Sequence, residues 1–267
     1  MNTGSVAQRL ADTPGVARTI LDAARAARGM PGADPRAMSH SWLFTGPPGS
    51  GRSLAALDFA AALMCTDPEE PGCGRCEACQ AVLDAKQHTD LVLVDPQEVI
   101  IPVDTVREVI GRAASLPTVA PWRVVIFNNA DRLNNNGANA LLKTVEELPA
   151  RTVIIMCAPS DAPEDFSQTL RSRCRHLYIP SPSVESITAQ LVSEGASDHD
   201  AHLAALTSLR HVGRARRLVN DPAVQKRRAV AINLAEEILH GSQGFQAVTS
   251  LLKLVDSEAK ESHKEQE

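Results

Sequence analysis

Trp42-Leu43-Phe44-Thr45-Gly46-Pro47-Pro48-Gly49-Ser50-Gly51-Arg52-Ser53 is the stretch whose reading decides the fold class. Trp42 to Phe44 reads as a short apolar strand and the glycines as a tight turn. Leu54, Leu57, Ala61 and Met64 then recur on one face of a helix. Strand, glycine-rich turn and helix in that order are the setting of a phosphate-binding loop, and Gly46-x4-Gly51-Arg52-Ser53 fits G-x-x-x-x-G-[KR]-[ST]. In such a loop Gly46, Gly49 and Gly51 let backbone N–H groups turn toward a phosphate, and the helix N-terminus adds partial positive charge. Arg52 stands where lysine is expected. A guanidinium is broad and planar where an ammonium is compact. The loop therefore admits three readings: hydrolysis of ATP, binding without efficient turnover, or a turn inherited from a nucleotide-binding ancestor and now unused.

The pattern repeats outward from this stretch. Leu91 to Val94, Val124 to Phe127 and Val153 to Met156 are further apolar runs. Between them the spacing predicts helices over Val103–Leu116, opened by Pro102, and over Asn139–Glu147, stopped before Pro149. None of the runs alternates, so each strand is covered on both faces, and the expected fold is an α/β parallel sheet with helices on both sides. Residues Val6 to Arg28 carry helical spacing broken by Pro14. After Pro180-Ser181-Pro182 the pattern becomes all-helical, over about Val184–Glu194, Ala201–Leu209, Gly213–Val219, Ala223–Leu239 and Phe245–Val255. The last twelve residues, Asp256 to Glu267, are acid-rich and expected to fray.

Composition excludes several classes of function. The 267 residues are 43% hydrophobic and 22% charged, which is globular composition, and the length suits one large or two small domains. A net charge of −5 argues against a surface that binds DNA all over by counterion release. Five Phe, two Trp and one Tyr are too few for a base-stacking platform. There is no apolar run long enough to span a membrane and no secretory signal, so a cytoplasmic protein is expected.

Cys65-x7-Cys73-x2-Cys76-x2-Cys79 places four thiols in an insert with no periodicity of its own. Four thiolates at such spacing suit tetrahedral zinc in a closed, structural site. An iron–sulfur cluster is the rival, though the fourth cysteine and following proline of ferredoxin patterns are missing. Four unconnected buried thiols are the plain alternative. The third strand bears on the loop: phosphate-loop enzymes keep a Mg²⁺-holding carboxylate at that strand's end, whereas here Asn128-Asn129 are neutral and Asp131 lies beyond them. Arg52 and Asn128-Asn129 both point away from a motor.

Ala138-Asn139-Ala140-Leu141-Leu142-Lys143-Thr144-Val145-Glu146-Glu147 follows the third strand, and Thr169-Leu170-Arg171-Ser172-Arg173-Cys174 follows the fourth. With the loop and the cysteines in this order, the chain resembles bacterial clamp-loader subunits of the AAA+ class over about Ser41 to Leu218, the delta-prime branch more than the tau/gamma motor branch. The resemblance implies a AAA+ α/β domain over 1–180 with a zinc-binding insert at 65–79. A helical lid over 181–220 and the start of a helical collar over 221–267, cut short, complete the expected organisation. It implies an assembly with tau/gamma and delta subunits that opens a sliding clamp and places it on primed DNA using ATP bound in the motor subunits. It also implies that Arg173 reaches a neighbour's ATP, where a guanidinium supplied in trans neutralises charge on the γ-phosphate. Otherwise Arg173 is a surface ion pair on a short helix. Arg171 and Arg175 read as ordinary surface or interface charges and Cys174 as a small buried residue. Ser160 or Asp161 takes the sensor position after the fourth strand. Gly213-Arg214-Ala215-Arg216 resembles the second sensor segment, with a plain basic helix face as the alternative.

The reading is a non-hydrolysing clamp-loader subunit without a catalytic centre of its own. No paired-carboxylate, two-metal polymerase signature is present, so a polymerase activity would belong to the whole assembly. The rivals are an active AAA+ motor, needing Arg52 to accept phosphate and Asp131 to hold magnesium, and a zinc-dependent nucleic-acid-binding finger. The latter offers only Arg75 against two glutamates.

Overall fold

The four apolar runs pair side by side, joined by a fifth strand of different character. In a computed structural model that describes residues 4–96, 98–240, 248, 249 and 252, β1 (Ser41–Thr45), β2 (Leu91–Val94), β3 (Arg123–Phe127), β4 (Thr152–Ala158) and β5 (Arg175–Tyr178) form one sheet, ordered β2-β3-β4-β1-β5. All neighbours are parallel, with Trp42 opposite Ile155 and Val124 opposite Val153. The expected parallel α/β sheet with helices on both faces is observed. β5 was not expected, because Arg175-His176-Leu177-Tyr178 is mixed rather than apolar. It is an edge strand, where one side of the ladder meets solvent and polar side chains protect it.

Successive residues of the inner strands feed opposite cores. Trp42, Phe44, Val124, Ile126, Val153 and Ile155 pack with α2 (Pro14–Ala27) and α3 (Arg52–Met64). Leu43, Val125, Phe127, Ile154 and Met156 pack with α5 (Val103–Ala113) and α6 (Asn135–Glu146). That two-sided cover is why the strands carry no alternation. The single apolar face expected for α3 is corrected by the structure. Every residue from Ala55 to Met64 is buried, and Leu54, expected on the inner face, is 49% exposed. Small alanines let α3 sit between the sheet, α2 and the cysteine insert, and Asp58 in its middle is held by Arg9 at 2.5 Å.

The chain divides into two compact units, Met1–Pro182 and Ser183–Glu267. In the second, α8 (Val184–Ser193), α9 (Asp198–Thr207) and α10 (Val212–Asn220) share a small core of Ile187, Leu191, Ala201, Ala204, Ala205 and Ala215. α11 (Pro222–His240) follows. Apart from 248, 249 and 252, the helix expected over Phe245–Val255 and the acidic end lie outside the described residues. No described helix is long and apolar enough to cross a membrane.

Candidate functional site

The glycine-rich turn leaves β1 and enters α3 directly. Gly46 is packed so closely that a Cβ there would lie 2.1 Å from the Ile179 carbonyl oxygen, while its N–H donates to the Pro159 carbonyl at 3.2 Å. Gly49 and Gly51 have φ of 83° and 93°, and Gly51 caps α3. Ser53 stands one residue into the helix, half-buried. The glycine-rich turn from strand to helix that the sequence predicts is thus present. Burial lowers the Arg52 pKa, opposed by Cys157, Asp131 and Asp165, so the guanidinium lies within electrostatic reach of two carboxylates on other elements. Its Nη1 is buried without a hydrogen bond among the described residues, as are Ser50 Oγ and Asn128 Oδ1.

Asp131 follows β3, as its sequence position requires, but it turns to a cavity of about 140 Å³ shared with Glu164, Asp165 and Phe166. Ser160 donates to Asp165 at 2.7 Å, and Asp161 is paired with Arg171 at 3.0 Å. The Arg171 hydrogen bond holds the Asp161 carboxyl below the usual range.

Cys65 follows α3, Cys73 sits in the loop beyond it, Cys76 caps α4 (Glu77–Leu83), and Cys79 lies in its first turn. This helix was not expected, because it opens inside the cysteine spacing that masks its periodicity. The four Sγ atoms lie within 4.8 Å of one another. A tetrahedron of about 2.3 Å metal–sulfur bonds needs sulfurs ~3.8 Å apart, and Cys65 and Cys76 are 3.9 Å apart. Backbone N–H groups of Cys76 and Cys79 donate to Cys73 Sγ at 3.4 Å and Cys76 Sγ at 3.5 Å, the outer-shell support that orients metal ligands. These four thiols can hold a metal ion.

Arg173 lies just past α7 (Gln168–Arg171), partly exposed. Its Nε is ion-paired with Glu146 at the end of α6, and its Nη1 donates to the Thr169 carbonyl at 2.8 Å. The two sequence segments that carry the clamp-loader resemblance therefore meet at this side chain.

A protein-family model described as DNA polymerase III, delta subunit, matches residues 33–183, more than half of the chain. The chain belongs to this family. It is 36% identical over 165 residues to DNA polymerase III subunit delta' of Pseudomonas aeruginosa, covering 59% of this chain and 49% of that protein. To the Escherichia coli delta' subunit it is 34% identical, covering 62% and 50%. A gamma/tau subunit of Mycobacterium tuberculosis is 33% identical, covering 63% of this chain and 30% of its own length. The chain spans about half the length of the first two of these relatives.

For this delta-prime-like clamp-loader protein, sequence reading missed Glu146 as the partner of Arg173, since its position at the end of an amphipathic helix gave no sign of where its side chain would reach. Arg175 proves more than a loose surface charge. It lies 5.0 Å over the Trp42 ring and donates to the Arg36 and Ala37 carbonyls. Cys174 is buried, which raises its thiol pKa to about 12. In the second unit Arg216 makes two hydrogen bonds to Glu194, at 2.6 and 2.8 Å, while Arg214 is exposed.

Proposed function

We propose that this chain is a non-hydrolysing, delta-prime-type subunit of a DNA polymerase III clamp loader. It assembles in the cytoplasm with tau/gamma and delta subunits and helps place a sliding clamp on primed DNA. It contributes Arg173 to a neighbour's ATP site. The observation that carries this reading is the contrast between the two arginines. Arg52 is half-buried, with an Nη1 that meets no hydrogen-bond partner among the described residues, whereas Arg173 is presented on the surface by an exposed ion pair. An exposed pair is worth about 0–1 kcal/mol, so a neighbouring phosphate can take the guanidinium from Glu146 at little cost. Zinc, held by Cys65, Cys73, Cys76 and Cys79, serves the fold.

Arg173→Ala should slow DNA-stimulated ATP hydrolysis by the assembled partners by about a hundredfold or more, the scale of a trans arginine. The melting temperature of the chain should not change. Hydrolysis at the wild-type rate in the mutant assembly would remove the role.

The loop's glycine-rich turn favours a second reading, an active motor. ATP with Mg²⁺ titrated into the isolated chain, with released phosphate assayed in the same sample, separates the two. The proposed reading expects no phosphate release. Steady turnover that disappears in Arg52→Ala would establish the motor.

A further inference from the structure

Helix α7 is too short to hold itself. It has four residues and one buried side chain, Leu170, and a helix of that length is not stable alone. Yet it sets the backbone from which Arg173 projects. The Arg173 N–H donates to the Leu170 carbonyl at 3.0 Å, and its Nη1 donates to the Thr169 carbonyl. Besides Leu170, α7 is fixed by a run of polar contacts. Gln168 Nε2 donates to the Asp161 carbonyl and Arg171 Nε to Asp161 Oδ2, each at 3.0 Å, in the loop after β4. Arg171 Nη2 donates to His176 Nδ1 on β5 at 3.3 Å. His176 Nε2 in turn meets Thr45 Oγ1 at 2.5 Å, and Thr45 is the buried last residue of β1. Because β1 lies between β4 and β5, the run ends on an inner strand of the sheet.

The protons along this run follow from one fact: a guanidinium only donates. His176 Nδ1 therefore accepts, the ring proton sits on Nε2, and Nε2–H donates to the Thr45 hydroxyl oxygen. The run needs a neutral ring. The charged groups acting on that ring are Arg171 on α7 and Asp161 in the loop after β4, whose carboxylate lies 3.9 Å from Nδ1. Strand β1, Ser41-Trp42-Leu43-Phe44-Thr45, carries no charge. Burial and then Arg171 lower the His176 pKa, and Asp161 opposes them. The ring is thus neutral at neutral pH and takes its second proton only below the free value of about 6.5. That proton sets one N–H against another and one cation against another, and Arg171 loses its hold on β5.

We propose that Arg171 and His176 are positioning residues for Arg173: His176 ties Arg171 to β1, and Arg171 holds the α7 turn from which Arg173 reaches a neighbour's ATP. Both act through Arg173 rather than on the phosphate. The inference rests on the proposed role of Arg173. Placement matters in that role because a shift of about 1 Å can cost a hundredfold in rate.

Two readouts test it. In the full chain alone, His176→Phe and Arg171→Ala should each speed amide exchange over Leu170 to Arg173 about tenfold or more, with the inner strands unchanged. In the assembly with tau/gamma and delta subunits, at saturating variant chain, His176→Phe should lower kcat for DNA-stimulated ATP hydrolysis about tenfold or more and leave KM for ATP unchanged. Glutamine offers an acceptor and a donor and does not titrate. His176→Gln should therefore restore kcat at neutral pH, and its kcat relative to wild type should rise as pH falls below about 6.5. Unchanged amide exchange in both variants overturns the proposal, since α7 is then held without them. Faster exchange with wild-type hydrolysis, in an assembly that Arg173→Ala slows, overturns it and leaves the role of Arg173 standing. A His176→Gln assembly as slow as His176→Phe, or a ratio to wild type that is flat in pH, overturns it as well. If Arg173→Ala itself hydrolyses at the wild-type rate, the role of Arg173 fails and the positioning role falls with it.

Discussion

Asp90, just before β2, carries more interactions than any residue singled out from sequence. It is fully buried and accepts from the N–H groups of Thr118, Val119 and Ala120 at 2.7–2.9 Å and from Arg123 Nη2 at 2.9 Å. Arg123 in turn donates to the Arg112 and Ser115 carbonyls, so one ion pair ties α5 and the loop after it to β3. Those backbone hydrogen bonds and Arg123 hold the Asp90 carboxyl well below the usual carboxylate range, outweighing its burial. A depressed carboxylate pKa contributes stability that is present above the unfolded value and is lost as pH falls through the folded one. Thermal stability should therefore decline below about pH 4, where free aspartate begins to protonate. In Asp90→Asn that acid-side decline should be smaller. The same change leaves a buried guanidinium unpaired and should cost about 3–5 kcal/mol at neutral pH, read from denaturant unfolding. Nothing in Thr89-Asp90-Leu91 announces this network. Its partners lie 28 to 33 residues away and meet only when the sheet forms.

At the scale of elements, the cysteine module and the N-terminus are one structure. The Val6 N–H donates to the Gly72 carbonyl at 2.8 Å, and α1 (Val6–Arg9) continues into the Arg9–Asp58 pair on α3. Gly74, at φ 70°, is so close to this segment that a Cβ would fall 2.0 Å from the Gly4 carbonyl oxygen. Gly74→Ala should destabilise the chain by more than about 1 kcal/mol from the left-handed backbone alone, with faster amide exchange in α1 as its local sign. Elemental analysis should find about one zinc per chain in the wild type. Cys76→Ser should lose the metal and show the same exchange change in α1. Zinc below half an equivalent in purified wild-type protein would refute the zinc assignment. The expected start of α6 at Asn139 also moved, to Asn135. Asn134 Oδ1 accepts from the Gly137 N–H at 2.8 Å, turning a run that reads as a loop into a capped first turn.

At the scale of the whole molecule, both large cores belong to the first unit, because each needs one face of the same sheet. The second unit has a separate and much smaller core built on alanines. A chain ending at Pro182 should fold cooperatively, with a melting temperature close to that of the full chain, since among the described residues none of either large core lies beyond that point. Calorimetry of both chains checks this. A shortened chain without a cooperative transition would mean that the first unit needs helices from the second.

The α/β class, the parallel strands, the glycine turn and the four-thiol spacing were all legible in the sequence. Each is a local matter: apolar runs without alternation, residues that permit a tight turn, or ligands a few positions apart. What only tertiary structure decided is which distant groups meet. β5 gains its place from pairing with β1 rather than from apolar content, and Leu54 faces solvent because α3 is embedded among alanines. Arg52 comes within electrostatic reach of Asp131 and Asp165, and Arg173 meets Glu146, because loops at the ends of different elements converge. Periodicity tells which side of a helix is apolar. It does not tell how much room the neighbours leave, and on α3 that room admitted alanines and left Leu54 outside.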